Sequence, residues 1–431
     1  MIRSKESIFR LLLLLVAAVG LVAFAACGDD EEDGGNGADG TPAGTPTAGD
    51  DLSSIPEDTT GITATEILLG SHMPLSGAAA ALYGNQIVPG MQAYIDYIND
   101  VEGGVNGRKI RLQVEDDTYD PSRTNSVVRT LVNQDGIFAL LSGLGTAQHS
   151  AVFDFLKEEQ VPDLFTATGA TKFTDPITRT AFGYNPNYIQ EGDAIGKYIA
   201  RTHPSAKLGL IIQNDDFGRD GEKGIRQGIE GSDVEVVTVE TYEAVSTDLT
   251  AQVQNVRNAG ADVLAFYALP LQAGSIISTA HEDLAWDVPI YATGVVADPS
   301  TIQLAGEANA QGVITTAYLR PLNQGDDPGV IEHQRIMAQY QPEATVANLS
   351  IYGHSVAELA VEVLKAAGPN LNRRSVIEAA ESIRDFTCSL CLGPINLGPT
   401  DHRSIETFSF ARAEGASWVV FGDLVTYETT E

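Results

Sequence analysis

Cysteine and positive charge are both scarce in this chain. Of its 431 residues three are cysteine, Cys27, Cys388 and Cys391, too few for a scaffold held together by disulfides. Lys and Arg total 26 against 58 Asp and Glu, a formal charge of −32, and no Lys or Arg stands between Arg10 and Arg108. A chain so acidic repels phosphate backbones and anionic headgroups, which argues against nucleic acid as a partner. Catalytic signatures are missing too. There is no Gly-x-Ser-x-Gly elbow, no His-Glu-x-x-His helix and no Gly-x-x-x-x-Gly-Lys phosphate loop, so no enzyme is expected. The seven histidines, His72, His149, His203, His281, His333, His354 and His402, are scattered, so no metal or cofactor is expected either. His149 reads as a capping or solvated side chain at a helix start. Asp116 and Asp117 read as strand-end acids facing water.

The N-terminal uncharged run falls short of the roughly 20 apolar residues that span a bilayer. Arg3, Lys5 and Arg10 are followed by Leu11 to Ala26, 16 residues without a charge. That is the plan of an export signal covering residues 1–26. The run ends Val22-Ala23-Phe24-Ala25-Ala26-Cys27-Gly28, which resembles a bacterial lipobox and makes Cys27 a candidate lipidation site; a plain cleavable signal and an uncleaved anchor are the alternatives. Residues 27–64 then turn acidic and rich in Gly, Pro and Thr. Such a stretch buries too little apolar surface to offset its ordering entropy, so a disordered tether is expected there.

Beyond it, short apolar runs alternate with helical spacing. Glu66 to Gly70, Lys109 to Val114, Ile137 to Leu141 and Val161 to Phe165 read as strands. Lys207 to Ile212, Val234 to Val239, Asp262 to Tyr267, Val288 to Tyr291 and Gly312 to Thr316 continue the series. Ile87, Met91, Tyr94, Ile95 and Ile98 recur at helical spacing, Asp120-Pro121 opens a helix, Ala147 to Glu159 is helical, and Tyr352 to Ala367 is a strong helix. Strands separated by helices require a parallel sheet covered on both faces. Two such sets, about 65–184 and 185–318, give an α/β fold of two doubly wound, Rossmann-like parallel-sheet lobes. Ligands on such sheets sit beyond the carboxyl ends of the strands, so two facing lobes form a cleft suited to capturing a small molecule by closure.

Several segments, taken in series, carry a resemblance. They are Met73-Pro74-Leu75-Ser76-Gly77, Gly103-Gly104-Val105-Asn106-Gly107-Arg108-Lys109-Ile110, and Glu115-Asp116-Asp117 with Asp120-Pro121. Asn214-Asp215-Asp216-Phe217-Gly218 with Gly221, Thr247-Asp248-Leu249, Ala259-Gly260-Ala261-Asp262 and Ala297-Asp298-Pro299 follow in order. Over about 67–368 the chain resembles the leucine/isoleucine/valine-binding protein family, with Gly393-Pro394-Ile395 and Asp401-His402-Arg403 also fitting. The resemblance implies a type I periplasmic-binding fold with a hinge of three crossovers. Lobe one would be 65–184 plus 319–393, and lobe two 185–318 plus 394–431. It also implies delivery of a small-molecule ligand to an ABC permease, outside the cytoplasm.

It further implies a ligand site. In lobe one, Gly145 and Thr146 would meet the ligand at a helix start, where unpaired N–H groups face anions; a helix cap is the alternative role for Thr146. Ala167, Thr168 and Gly169 form the second loop, with Thr171 nearby. Tyr83 and Phe217 fall on cleft aromatics, and Leu269 stands where an aromatic wall is common. Amino-acid binders of the family place a carboxylate in lobe two opposite the ligand's ammonium. Here that position falls on Gly294 or Val295. A buried ammonium without a counter-charge costs several kcal/mol, so a standard α-amino acid fits only if Asp298 or Asp215 reaches it. Amides and apolar or aromatic carboxylates are the other ligands expected. With Cys27 acylated, Cys388 and Cys391 are left to form a small disulfide, a redox or metal role being the alternative. The same fold also serves ligand-sensing receptors that act with a separate membrane partner.

Overall fold

The structure is a computed structural model, and residues 52–77 and 79–427 are described. The export signal, Cys27 and most of the expected tether lie outside them. No helix among the described residues is long and apolar enough to cross a membrane.

Five strands build the first sheet: β1 (Glu66–Met73), β2 (Lys109–Asp116), β3 (Ala139–Leu141), β4 (Asp163–Thr166) and β5 (Ala181–Gly183). They run parallel in the order β2-β1-β3-β4-β5. Seven build the second: β6 (Lys207–Gln213), β7 (Glu235–Tyr242), β8 (Val263–Tyr267), β9 (Ile290–Ala292), β10 (Ile314–Ala317), β11 (Thr407–Glu414) and β12 (Ser417–Thr426). Their order is β12-β11-β10-β9-β8-β6-β7, parallel as far as β10, after which β11 and β12 add an antiparallel ribbon. Central strands such as β3, β4 and β8 are buried at every residue, as a sheet covered by helices on both faces demands. The chain crosses between the sheets after β5, after β10 and before β11, the three crossovers expected.

Local chemistry explains the helix starts. Asp120-Pro121, Asp298-Pro299 and Asp327-Pro328 each place a carboxylate that accepts the first free N–H groups and a proline that needs none there. In the second lobe the helices Tyr188–Thr202 and Asp216–Gly228 meet backbone to backbone. A Cβ on Gly224 would lie 2.2 Å from the Ile189 carbonyl oxygen and 2.9 Å from Gly192 Cα.

The structure departs from the sequence reading in four places. Residues 52–64 are docked on the first lobe instead of free: Leu52–Ser54 is a helical turn, Ile55 is buried, Arg374 binds the Ile55 carbonyl and Glu57, and Arg373 pairs with Asp58. Leu52, Ile55 and Ile62 supply the apolar contacts that the acidic flank of the segment obscures. The boundary placed at 393/394 comes too early, because Ile395 bridges Phe386 and Arg403 bridges Gly183 at the edge of the first sheet. The helix expected over Ala147 to Glu159 is two short helices, Thr146–Ser150 and Phe153–Glu158.

The fourth departure is the expected disulfide. Cys388 and Cys391 are buried free thiols. The Cys391 N–H donates to the Cys388 carbonyl (3.2 Å), closing a tight turn. Burial pushes the Cys388 thiol up, disfavouring the thiolate that disulfide exchange requires.

Candidate ligand-binding cleft

Loops at the carboxyl ends of both sheets face one another across a cleft of about 990 Å³, part of it open to solvent. From the first lobe come Tyr83, which precedes the helix Gly84–Val101, Tyr119 after β2, Leu144, Gly145 and Thr146 after β3, and Ala167 after β4. From the second come Gln213 and Phe217 around the end of β6, Leu269 after β8, and Gly294, Val295, Ala297 and Asp298 after β9. The crossovers contribute Asn185, Tyr318 and Arg320, and β12 contributes Trp418 and Val420. Most of this wall is apolar or aromatic.

Of the ten residues singled out from sequence, Tyr83, Gly145, Thr146, Ala167, Phe217, Leu269, Gly294 and Val295 line the cleft. Thr168 and Gly169 stand behind it. The Thr168 hydroxyl is 2.6 Å from that of Thr146 and accepts the Ala170 N–H, so it braces the cleft wall. Gly169 packs against Pro186 and Tyr188. Thr171 turns to the opposite lobe, where its N–H donates to Asp220 Oδ2 (2.8 Å).

Two polar atoms of cleft-lining residues have no partner within the chain. The Tyr83 hydroxyl and Asp298 Oδ2 are buried without a hydrogen bond, in residues 5% and 3% exposed. Burial drives the Tyr83 phenol well above its ordinary range, with Asp298 among the charges acting in the same direction, so it remains a donor. Asp298 Oδ1 caps the Ser300 N–H (2.9 Å), which leaves Oδ2 free. An orphaned buried carboxylate oxygen costs about 1–3 kcal/mol or more, unless something outside the chain satisfies it. Asp215 is different: its carboxylate is taken up by Gln213 Nε2 (2.7 Å) and the Gly218 N–H (3.3 Å).

Gly294, one of the two positions that the resemblance matches to the family's second-lobe carboxylate, has no room for a side chain. Glu191 fills that space from the helix Tyr188–Thr202. Its carboxylate accepts the Gly294 N–H (2.7 Å) and the Thr293 hydroxyl (2.9 Å), and Thr316 donates as well. A Cβ on Gly294 would sit 2.5 Å from Thr316 Oγ1 and 3.0 Å from Glu191 Oε1. Burial raises the Glu191 carboxyl, and these donors pull the other way. Glu191 thus holds the second-lobe loop without lining the cleft.

Several contacts join the lobes around the cleft, among them Thr171 to Asp220, Lys172 Nζ to Asp216 Oδ2 (3.1 Å), and Asn348 Nδ2 to the Ala297 carbonyl (3.1 Å). Burial raises the Asp220 carboxyl despite the Thr171 bonds. At Asp216 burial is outweighed by hydrogen bonds from Arg219 and Lys172, which hold its carboxyl low.

Two sequence expectations fail here. His149 is not a solvated cap, nor does Asp117 face water. Both are fully buried, with His149 bound to Asp163 and Asp117 to His72. Sequence reasoning also passed over Tyr119, Asn185, Glu191, Arg320 and Trp418, none of which stands in a spacing that signals a site.

Comparison with known proteins places the chain. The Leu/Ile/Val-binding protein homolog 1 of Brucella suis biovar 1 is 26% identical over 309 residues, 71% of this chain and 80% of that protein. A branched-chain amino acid ABC transporter protein from Thermus thermophilus with bound valine superposes with a TM-score of 0.76 at 20% identity, covering 85% of this chain and 98% of the other. A fatty acid ABC transporter substrate-binding protein from Thermomonospora curvata gives 0.76 at 20% identity, over 87% and 96%. The periplasmic binding protein family model matches residues 66–417. With that match over most of its length, the chain belongs to the periplasmic binding protein family, which binds solutes and is not enzymatic.

Proposed function

We propose that this chain captures a small carboxylate-bearing molecule in the interlobe cleft and delivers it to an ABC permease, working outside the cytoplasm on a lipid anchor at Cys27. One observation carries the ligand reading. The cleft is mostly apolar, yet it holds an unpartnered phenol and an unpartnered carboxylate oxygen, Tyr83 and Asp298, and across it stands Thr146 at a helix start. The ligand is therefore bipolar. Its carboxylate or amide oxygen meets the Thr146 end, and its N–H or ammonium group meets Asp298, with an apolar body between. Amino acids and their amides fit this pattern, with Asp298 supplying the counter-charge that Gly294 and Val295 cannot. The Brucella relative's name and the valine in the Thermus structure agree with it, and the Thermomonospora protein marks the competing class, acids with no cationic end.

A thermal-shift screen of amino acids, amides and simple carboxylic acids tests this, since ligand binding raises stability by mass action. Amino acids or amides are expected to shift the melting temperature, and Asp298→Asn to lower the affinity of any cationic ligand about tenfold or more. A screen in which only acids lacking an N–H donor bind, with Asp298→Asn unaffected, would overturn the bipolar reading.

A further inference from the structure

Behind the first-lobe wall four titratable side chains stand in a line: Asp117, His72, His149 and Asp163, all 0–1% exposed. His72 Nδ1 is 2.8 Å from Asp117 Oδ2, His72 Nε2 is 3.4 Å from His149 Nδ1, and His149 Nε2 is 2.6 Å from Asp163 Oδ2. The imidazole planes are 18° apart. Each member comes from a different place: β1, the turn after β2, the helix Thr146–Ser150, and β4. The outer oxygens are occupied as well. Asp117 Oδ1 accepts the Tyr119 N–H (2.9 Å), Thr124 donates to Oδ2 (3.1 Å), and Thr166 donates to Asp163 Oδ1 (3.3 Å).

Counting protons in this line gives a definite result. Each neutral imidazole owns one N–H. If His72 spends its N–H on Asp117 and His149 spends its own on Asp163, the two remaining nitrogens face each other with lone pairs only. If either ring turns its N–H inward, the outer link it leaves has no donor unless that carboxyl carries a proton. Three links need three protons in every arrangement, and two neutral imidazoles with two carboxylates supply two.

We propose that the line Asp117–His72–His149–Asp163 holds a third, shared proton that closes all three links, and that the closed line positions the loops bearing Tyr119, Thr146 and Ala167. The four groups then carry one net negative charge inside the lobe. The positioning half of this inference rests on the cleft being the ligand site; the proton count does not.

Two observations bear on the extra proton, one limiting the charge to a single unit and one allowing the rings to meet. Burial, together with the positive charge of His149 when protonated, holds His72 below the ordinary histidine range although Asp117 and Asp163 oppose this; a second charge is thus disfavoured. Gly143 lies where the rings meet, and a Cβ there would be 2.4 Å from His72 Nε2 and 3.1 Å from His149 Nδ1, so the rings can approach only because that position is bare. The rings of Phe153 and Phe173 pack against His149, and Tyr119 feels the charge of Asp117. Among the described residues, no Lys or Arg forms an ion pair with the four.

The test is nitrogen-15 NMR of the histidine side chains in the full, ligand-free chain at pH 6. The expected result is one imidazolium charge spread over His72 and His149, with an N–H proton between them. Two neutral rings with no N–H proton between them at pH 6 would overturn the proton count. For positioning, amide exchange at Tyr119 is compared with that in Asp163→Asn, which alters the far end of the line. A closed line transmits the change, and exchange at Tyr119 should accelerate at least tenfold; a merely structural Asp163 would leave it unmoved, and that result would overturn the positioning role. If Asp163→Asn does not fold, His149→Asn provides the same comparison. Neither readout depends on ligand, so failure here is distinct from failure of the ligand screen.

Discussion

A second pair of histidines offers a sharply quantitative prediction. His333 and His354, carried by the helices Pro328–Tyr340 and Asn348–Ala366, are buried, with their Nδ1 atoms 3.0 Å apart and His333 Nε2 2.9 Å from Ser350 Oγ. Burial lowers His333 to about 4, against about 6.5 in an unfolded chain. Between these values the unfolded state binds the proton and the folded state does not, so stability rises with pH through this window and is lost as pH falls. The full difference is about 3 kcal/mol, and most of it is lost between pH 7 and pH 4.5. His333→Gln retains a group able to bond Ser350 and cannot titrate. The assay is proton uptake on denaturant unfolding near pH 5.2, where the wild type should take up about 0.9 proton more than His333→Gln. Equal uptake by the two proteins would refute the reasoning, because it would mean that His333 is already charged in the fold or never buried in it.

Other outcomes follow from contacts described above. Thr146→Ala should weaken the best ligand of the screen by about 1 kcal/mol, roughly fivefold, as loss of a buried hydroxyl does; an unchanged dissociation constant would remove Thr146 from the site. Gly224→Ala forces a methyl against the Ile189 carbonyl and should destabilise the protein by about 1–3 kcal/mol in urea unfolding. Asp220→Ala deprives the Thr171 N–H of its acceptor across the cleft and should speed ligand release about fivefold in stopped flow. Lys172→Ala breaks an ion pair whose side chains are 42% and 37% exposed, so it should change that rate less than twofold.

The sequence announced the fold wherever a single period dominates. Fully apolar β3 and β8 and the Asp-Pro helix starts at 120, 298 and 327 are readable because each rests on neighbours in the chain. The docking of residues 52–64 is not legible in the same way, because three apolar side chains, Leu52, Ile55 and Ile62, show no period. The two-part helix after β3 reads as one because its break at Ala151 and Val152 carries no proline or glycine. In the cleft, Thr146 and Tyr83 could be placed by motif order. Glu191 could not: its task is set by Gly294 and Thr316, 103 and 125 positions away. His72 and Asp117 look like ordinary strand-end residues until β1 and β2 pair and bring Asp163 and His149 alongside.

The antiparallel ribbon of β11 and β12 has an effect on how this molecule can come into being. It completes the sheet begun at Lys207, just as the helix Asn348–Ala366 covers a sheet begun at Glu66. Each half therefore waits for a piece made late, and the pieces are interleaved along the polypeptide. Cutting once after β5 or after β10 yields two fragments with no finished half between them. A ribosome must therefore add the ribbon after the helix, and Trp418, carried by that ribbon, closes the crevice.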